Sequence, residues 1–325
     1  MQLPRRRFLH LAASAAALPA LSRFAWAQAY PTRPVRLIVP VAPGGASDIT
    51  TRLMGQWLSE RLGQPFIIEN RPGAANNVGT EAVVRAPADG YTLLLSGITN
   101  TTNATIYDKL NFNFIRDIAP VAGVIRGPYA LVVNPSVPAK SVPEFIAYAK
   151  ANPRKINKAA TGTGTGDHVA GELFRMMAGI DMVHVPYRGG GPALTDLIAG
   201  QVQVMFVSTI ASIGYIKAGR LRTLAVTTAT RWDGLPDIPT VGEFVPGYEA
   251  SYWAGIGAPK ATAAEIVEKL NKEINAGLPD PKIKARLAEL GSTALAGSPA
   301  DFGRLIAEET EKWGKVVRFA GLKPQ

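Results

Sequence analysis

What most limits the folds open to this chain is an alternation that runs through it twice. A short apolar run rich in β-branched residues leads into a turn, and the turn leads into a segment with apolar residues at helical spacing. Strands separated by helices in this way form α/β layers. Val35 to Val41 reads as a buried strand interrupted by Pro40. Ile49, Leu53, Trp57, Leu58 and Leu62 then recur at helical spacing, and Gly63 ends that helix. Strands at Phe66 to Glu69 and Tyr91 to Leu95 flank a polar helical region at Gly79 to Arg85. Leu131 to Val133 reads as a strand leading away from this unit.

From about Ser141 the pattern restarts. Ser141, Pro143 and Glu144 make a helix start with a capping box. Strands are expected at Ile156 to Ala160, Val183 to Val185, Val202 to Val207 and Leu221 to Thr227, with helices at His168 to Ala178 and Pro192 to Ala199. Gly234 to Gly247 reads as a connector, and Tyr252 to Ala258 as a returning strand. Thr262 with Glu265, Asp280-Pro281 and Ser298-Pro299 mark three helix starts. These helices have no strands of their own to cover, so they belong on the first sheet. Two lobes result, residues 30–125 with 248–325 and residues 126–247, joined by two crossings that can act as a hinge.

Two turns occupy equivalent places in the two units. Ala42-Pro43-Gly44-Gly45-Ala46-Ser47-Asp48 follows a strand and opens a helix. So does Thr161-Gly162-Thr163-Gly164-Thr165-Gly166-Asp167-His168. The first N–H groups of a helix have no internal partner, and with the positive end of the helix dipole they make an anion site. Ser47 either donates its hydroxyl or caps the helix. The second turn is neither a dinucleotide fingerprint, having Asp167 where glycine is needed, nor a P-loop, having no Gly-Lys-Ser/Thr. One such turn is weak testimony; one in each lobe argues for a single small anion held between them. A third turn, Ser96 to Asn103, carries hydroxyls and amides suited to a carboxylate or to a solvated loop.

Catalysis has little to draw on. With no Cys and only three His in 325 residues, thiolate chemistry, disulfides, iron–sulfur clusters and histidine-rich metal sites are excluded or nearly so. No G-x-S-x-G elbow occurs. His168 beside Asp167 suits capping or loop bracing, and His184 reads as a satisfied core residue. No catalytic residue, metal or cofactor is expected.

The first 29 residues read as an export signal: Arg5, Arg6, Arg7 and Phe8-Leu9, an Ala/Leu-rich stretch from Leu11 to Leu21, and two overlapping small-x-small sites ending at Ala27 and Ala29. The Arg-Arg-x-Phe-Leu order points to the twin-arginine route, although Pro4 stands where Ser or Thr is usual. The apolar core is too short to anchor in a bilayer. Thirty-five basic and 25 acidic residues give a net charge of +10, which falls to +6 without Arg5, Arg6, Arg7 and Arg23. The remaining Lys and Arg are scattered apart from the Lys312–Lys323 tail, which argues against nucleic-acid binding and allows a mild field favouring small anions.

The pieces together resemble the Bug (Bordetella uptake gene) family, the solute-binding receptors of tripartite tricarboxylate transporters. The resemblance rests on AQAYPTRPVRLIVPVAPGGASD, ENRPGAANNVGTEAV, ADGYTLLL, HVPYRGGGPALTDLIAGQVQVMF and AGRLRTLAVTT, in order over nearly the whole chain. It implies a type II periplasmic-binding-protein fold: two α/β lobes around a hinged cleft. It further implies a monomeric periplasmic receptor that takes a small carboxylate and hands it to membrane permease subunits. First-lobe contacts carried over by position are Pro43, Gly44, Gly45, Ser47 and Asp48, with Ser96 and Asn103. Second-lobe contacts are Gly162, Thr163, Gly164, Thr165 and Ser208, with His168 bracing the loop. A β-branched residue at Gly164 is therefore expected to abolish binding without unfolding the chain. Val41 replaces the Phe of many relatives. Val207-Ser208 follows Phe206 where many have Asp, which favours di- or tricarboxylates or aromatic acids over amino acids. The alternatives are a ligand sensor for a membrane signalling protein and a secreted hydrolase using His168 and Asp167.

Overall fold

The computed structural model describes residues 30–324, Gly45 and Asp108 excepted, so the expected export signal lies outside the described residues. In chain order the elements are β1 (Val35–Val39), α1 (Ala46–Leu62), β2 (Phe66–Asn70), α2 (Asn77–Val84), β3 (Thr92–Gly97), α3 (Ile98–Ile106), α4 (Phe114–Asp117) and β4 (Ile118–Val133). There follow α5 (Val142–Ala151), β5 (Asn157–Ala160), α6 (Gly166–Ala178), β6 (Val183–Pro186), α7 (Gly190–Ala199), β7 (Val204–Ser208), α8 (Thr209–Lys217) and β8 (Arg222–Val226). The chain ends with β9 (Ser251–Pro259), α9 (Ala264–Gly277), α10 (Pro281–Glu289), β10 (Thr293–Ala294) and α11 (Pro299–Ala320). Among the described residues no helix is long and apolar enough to cross a membrane.

The fold is two-lobed α/β, and one strand runs through both lobes. In the first, β2, β1 and β3 are parallel, and β9 is inserted antiparallel between β3 and β4. In the second, β7, β5 and β6 are parallel, with β7 and β8 antiparallel to β4. β4 pairs with β9 from Ile118 to Pro128, then with β7 from Tyr129 to Val133. The partner changes between Pro128 and Tyr129. The sequence showed only the last three residues of this strand, because Pro120, Gly123, Gly127 and Pro128 interrupt its apolar run.

Alternate strand residues point to opposite faces, and both faces are covered by helices. Leu37, Leu93 and Ile256 pack with Met54 and Leu58 of α1 and Leu270 and Ile274 of α9. Ala130, Val132, Met205 and Val207 pack with Leu197 of α7. A third cluster is shared by the lobes: Ile38 and Leu94 from the first, Leu131, Phe174 and Phe206 from the second, and Phe302, Ile306 and Trp313 of α11. α11 is the strap between the lobes. Its fully buried Trp313 donates through Nε1 to Glu309 Oε2 at 2.6 Å, and Trp253 of β9 donates to the same oxygen at 3.1 Å.

Local helix signals behave unevenly. Ser141, Asp280 and Ser298 cap their helices through side-chain acceptors, as their positions suggest. Thr262 does not: the N-cap of α9 is Ala263, and the Thr262 hydroxyl is buried without a partner. The third turn is no loop, since Ile98 to Ile106 is helix α3. Asn100 Oδ1 accepts from the Gly97 N–H at 3.0 Å, closing the helix start, and Thr101 and Thr102 donate back to Ile98 and Thr99. Replacing Trp313 with Ala empties a large buried volume and removes one donor from Glu309. Urea titration should show stability lower by about 3–5 kcal/mol; a loss under about 1 kcal/mol would mean that α11 does not fasten the lobes.

Candidate ligand cleft

Each lobe contributes a turn whose shape is set by an aspartate in the first turn of the following helix. Asp48 Oδ2 accepts from the Gly44 N–H at 2.9 Å and from Arg52 Nε at 3.0 Å, and Oδ1 accepts from Asn70 Nδ2 at 2.9 Å. Burial would raise the Asp48 pKa, but the bonds from Arg52, Gly44 and Asn70 outweigh it and hold the carboxyl below its ordinary range. Asp167 does the same work in the second lobe, accepting from the Thr161 N–H at 2.6 Å and the Thr161 hydroxyl at 2.7 Å.

Between the two turns lies a cleft of about 690 Å³. Val41, Ala42, Pro43, Gly44, Ser47 and Ile49 form its first wall. Thr161, Thr165, Gly166 and Asp167, with Gly189 and Gly190, form the second. Met205, Val207, Ser208 and Ala211 continue that wall, and Tyr129 and Tyr252 close the floor. The two tyrosine rings meet edge to face, 5.7 Å apart. An arm of about 140 Å³ shares Ser47, Tyr129, Gly166 and Tyr252 with the cleft and adds Ser96, Gly97 and Thr99. Tyr252 is pinned by its hydroxyl to Ser292 at 2.7 Å, and burial pushes that phenol up to about 12.

Helix starts border this space repeatedly. α1 begins beside Ser47, α6 after Thr165, α7 after Gly189 and α8 after Ser208, and α3 begins after Gly97 in the arm. The N–H groups of a first helical turn lack intrahelical acceptors and carry the positive end of the dipole. Among the described residues no Lys or Arg lines the cleft or its arm. Such a site can hold an anion by amides and hydroxyls alone, with an apolar wall of Val41, Ile49, Met205 and Val207 for the anion's carbon body.

Of the residues singled out from sequence, Pro43, Gly44, Ser47, Thr165 and Ser208 line the cleft and Ser96 lines the arm, its hydroxyl donating to the Gly255 carbonyl. Gly45 lies outside the described residues. Asp48 stands behind the first turn, and Gly162 and Thr163 are not on the cleft wall. Asn103 faces a separate cavity of about 350 Å³ and donates to the Ala75 carbonyl at 2.6 Å and to Asn77 Oδ1 at 2.9 Å. Gly164 is buried where the lobes meet. Its N–H goes to His168 Nδ1 at 3.1 Å and its carbonyl accepts from Thr102 of the other lobe at 2.8 Å. A Cβ there would lie 2.5 Å from Ile106, at φ +76°, so a β-branched residue strains the backbone and the lobe contact rather than touching the cleft. Tyr129, Tyr252, Gly189 and Gly190 were missed, and Thr161 and Gly166 stood in the second turn without being named as contacts. The two glycines after Arg188 carried the available signal, since their turn could point amides at an anion.

Behind the second turn is a buried polar cluster. Lys158 Nζ lies 2.8 Å from Glu172 Oε1, and Arg175 Nε donates to Glu172 Oε2 at 2.7 Å. His168 and His184 stack with ring centroids 3.7 Å apart. Neither ring nitrogen of His184 has a hydrogen-bond partner, so it is not the satisfied core residue expected. Burial, then Lys158, holds His168 down to about 2, and burial, then Lys158, lowers His184 to about 4. Unfolded histidines ionise near 6.5. Below that pH the unfolded chain binds protons that the folded one refuses, so stability falls as pH drops. Between pH 6 and 5 the slope should approach about 1.4 kcal/mol per pH unit for each histidine. Urea unfolding measured at both pH values checks this, and equal stability would refute it.

The fold and cleft have known counterparts. Residues 50–322 match the family model described as Tripartite tricarboxylate transporter family receptor. Protein BugT of Bordetella pertussis (strain Tohama I) is 35% identical over 300 residues, covering 91% of this chain and 92% of its own. A structure from R. palustris solved with adipate superposes with a TM-score of 0.82 at 38% identity, covering 91% of this chain and all of that one. MatC from Rhodopseudomonas palustris with bound malate gives 0.78 at 30% identity, covering 89% of this chain and all of that one.

Proposed function

Because the chain belongs to the tripartite tricarboxylate transporter receptor family, we propose that it captures a small organic carboxylate in the cleft and presents it, enclosed, to the permease subunits of such a transporter. The reading holds it to be a monomeric periplasmic receptor without catalytic activity, exported by residues 1–29. Its lobes are residues 30–125 with 248–325 and residues 126–247. The observation that carries the ligand class is the set of five helix starts around one cleft and its arm with no Lys or Arg on the walls. An anion can be held there, whereas a cation would meet the wrong ends of the helix dipoles.

In this reading Ser47 and Ser208 offer hydroxyls, the turns at Pro43-Gly44 and Gly189-Gly190 and the start of α6 after Thr165 offer close backbone, and Tyr129 and Tyr252 shape the floor. Asp48 and His168 act from behind, by holding the turns. The adipate and malate of the relatives make di-acids the first compounds to try. The hydrolase alternative finds no support in the geometry: His168 is buried off the cleft and both Asp167 oxygens are occupied by Thr161.

A thermal-shift panel of carboxylates is the direct test. A di-acid at a hundred times its Kd adds about 2.7 kcal/mol to stability and raises Tm accordingly, while a diamine of the same length should leave Tm unchanged. A shift by diamines and none by any carboxylate would defeat the reading. The floor has its own test in Gly166→Ala. The new Cβ would fall 1.9 Å from the Tyr129 hydroxyl and 3.1 Å from Ile98, so Tyr129 must swing into the cleft. Calorimetry on the preferred di-acid should show affinity at least tenfold weaker; equal affinity would place the ligand away from Tyr129.

A further inference from the structure

His168 holds the second turn by accepting, at Nδ1, the hydrogen bond of the Gly164 N–H at 3.1 Å. An acceptor nitrogen carries no proton, so the ring is neutral with its proton on Nε2. Protonation would make both nitrogens donors, set two N–H groups against each other and release Gly164. That glycine immediately precedes the cleft-lining Thr165 and Gly166 and also carries the lobe contact to Thr102. The acid group able to pull a proton onto His168 is close, since Glu172 Oε1 lies 3.7 Å from Nε2. Lys158 already occupies that same oxygen at 2.8 Å, and its ammonium also donates to the His168 carbonyl at 3.2 Å.

We propose that Lys158 is a positioning residue for ligand capture: its ammonium claims the oxygen that an imidazolium at His168 would need, so His168 stays a neutral acceptor and the second turn keeps one shape whatever the acidity outside. The proposal rests on the cleft reading above. The charged and titratable groups facing His168 are Lys158 on β5, His184 stacked from β6, and Asp167, Glu172 and Arg175 on α6 itself. Arg175 takes the other Glu172 oxygen, so loss of Lys158 alone frees Oε1 and leaves the carboxylate with one cationic partner. A soluble-phase pH range of about 8 to 5 spans the ordinary titration of a free imidazole.

The test reads the ring itself and then the ligand. The chain has three histidines, His10, His168 and His184, so their imidazole NMR signals can be assigned by single substitutions. In the unaltered protein the His168 signals should stay fixed from pH 8 to 5 with an acceptor Nδ1, and a His168 that protonates within that range overturns the proposal whether or not any variant folds. In Lys158→Met the His168 ring should titrate within the range, and in Lys158→Arg it should again stay fixed; titration in neither variant overturns the proposal. With adipate as probe, the loss of affinity that calorimetry reads in Lys158→Met should be at least threefold greater at pH 5.5 than at pH 7.5, each compared with the unaltered protein at equal pH so that protonation of adipate cancels. An equal ratio at both pH values overturns the link to capture. If the unaltered protein does not bind adipate, the carboxylate that raises Tm most takes its place as probe; if no carboxylate binds, the ligand reading fails on its own, and the NMR arms still decide the role of Lys158.

Discussion

Everything in the cleft depends on a short carboxylate clamp used twice. A glycine-rich turn between strand and helix would sample many shapes, because glycine loses more freedom on ordering than any other residue. Asp48 and Asp167 remove that freedom from inside the next helix: Asp48 accepts from the Gly44 N–H of its turn and from Arg52 and Asn70 beside it, and Asp167 from the N–H and hydroxyl of Thr161. The cost of fixing backbone, about 1–2 kcal/mol per residue, is thereby met on folding rather than on ligand arrival. Neither carboxylate is spent on the ligand. Both stand where an acid would repel one if it were free, and the donors they accept from are what allow them to remain there.

The clamps matter only because the two turns face each other, and that follows from β4. A strand that pairs with one sheet through Pro128 and the other from Tyr129 makes the lobes parts of one covalent beam. α11 adds a second tie, packing Trp313 and Phe302 into a core with residues of both lobes. The Thr102 hydroxyl also donates to the Gly164 carbonyl across the lobes at 2.8 Å. Lobe motion would bend β4 near its change of partner, slide on α11 and strain the hydrogen bonds that cross the lobes, those of Thr102 to Gly164, Thr209 to Gly291 and Tyr248 to Ala170 among them. It need not disturb either clamp.

How much of this could be read from the chain alone follows from how local each feature is. Caps at Ser141, Asp280 and Ser298 were legible, because a side chain reaches its own backbone within three residues. The same logic failed at Thr262, where the chain entered α9 one residue later. α3 was hidden among hydroxyl and amide residues that ordinarily favour turns; its start is closed by Asn100 and its threonines bond back to their own helix. Asn103 matched a ligand contact by position, yet its partners are Ala75 and Asn77. The tyrosine floor was invisible because Tyr129 and Tyr252 sit on strands far apart in sequence and meet only through β4 and β9.

Gly164 shows why position alone misassigns such residues. The turn needs a left-handed backbone at φ +76°, a donor for His168 and an acceptor for Thr102, and it has no room for Cβ beside Ile106. All four demands come from the protein, and none from the ligand. A residue so constrained looks like a contact residue in sequence, since both kinds are glycine in a turn beside the cleft. The difference is physical: a contact residue keeps a donor free for the ligand, whereas Gly164 has already given its donor away. The free donors lie just after it, at the start of α6, since the Thr165 hydroxyl already donates to the Gly162 carbonyl at 2.7 Å, and their direction is inherited from His168 and Asp167 behind the turn.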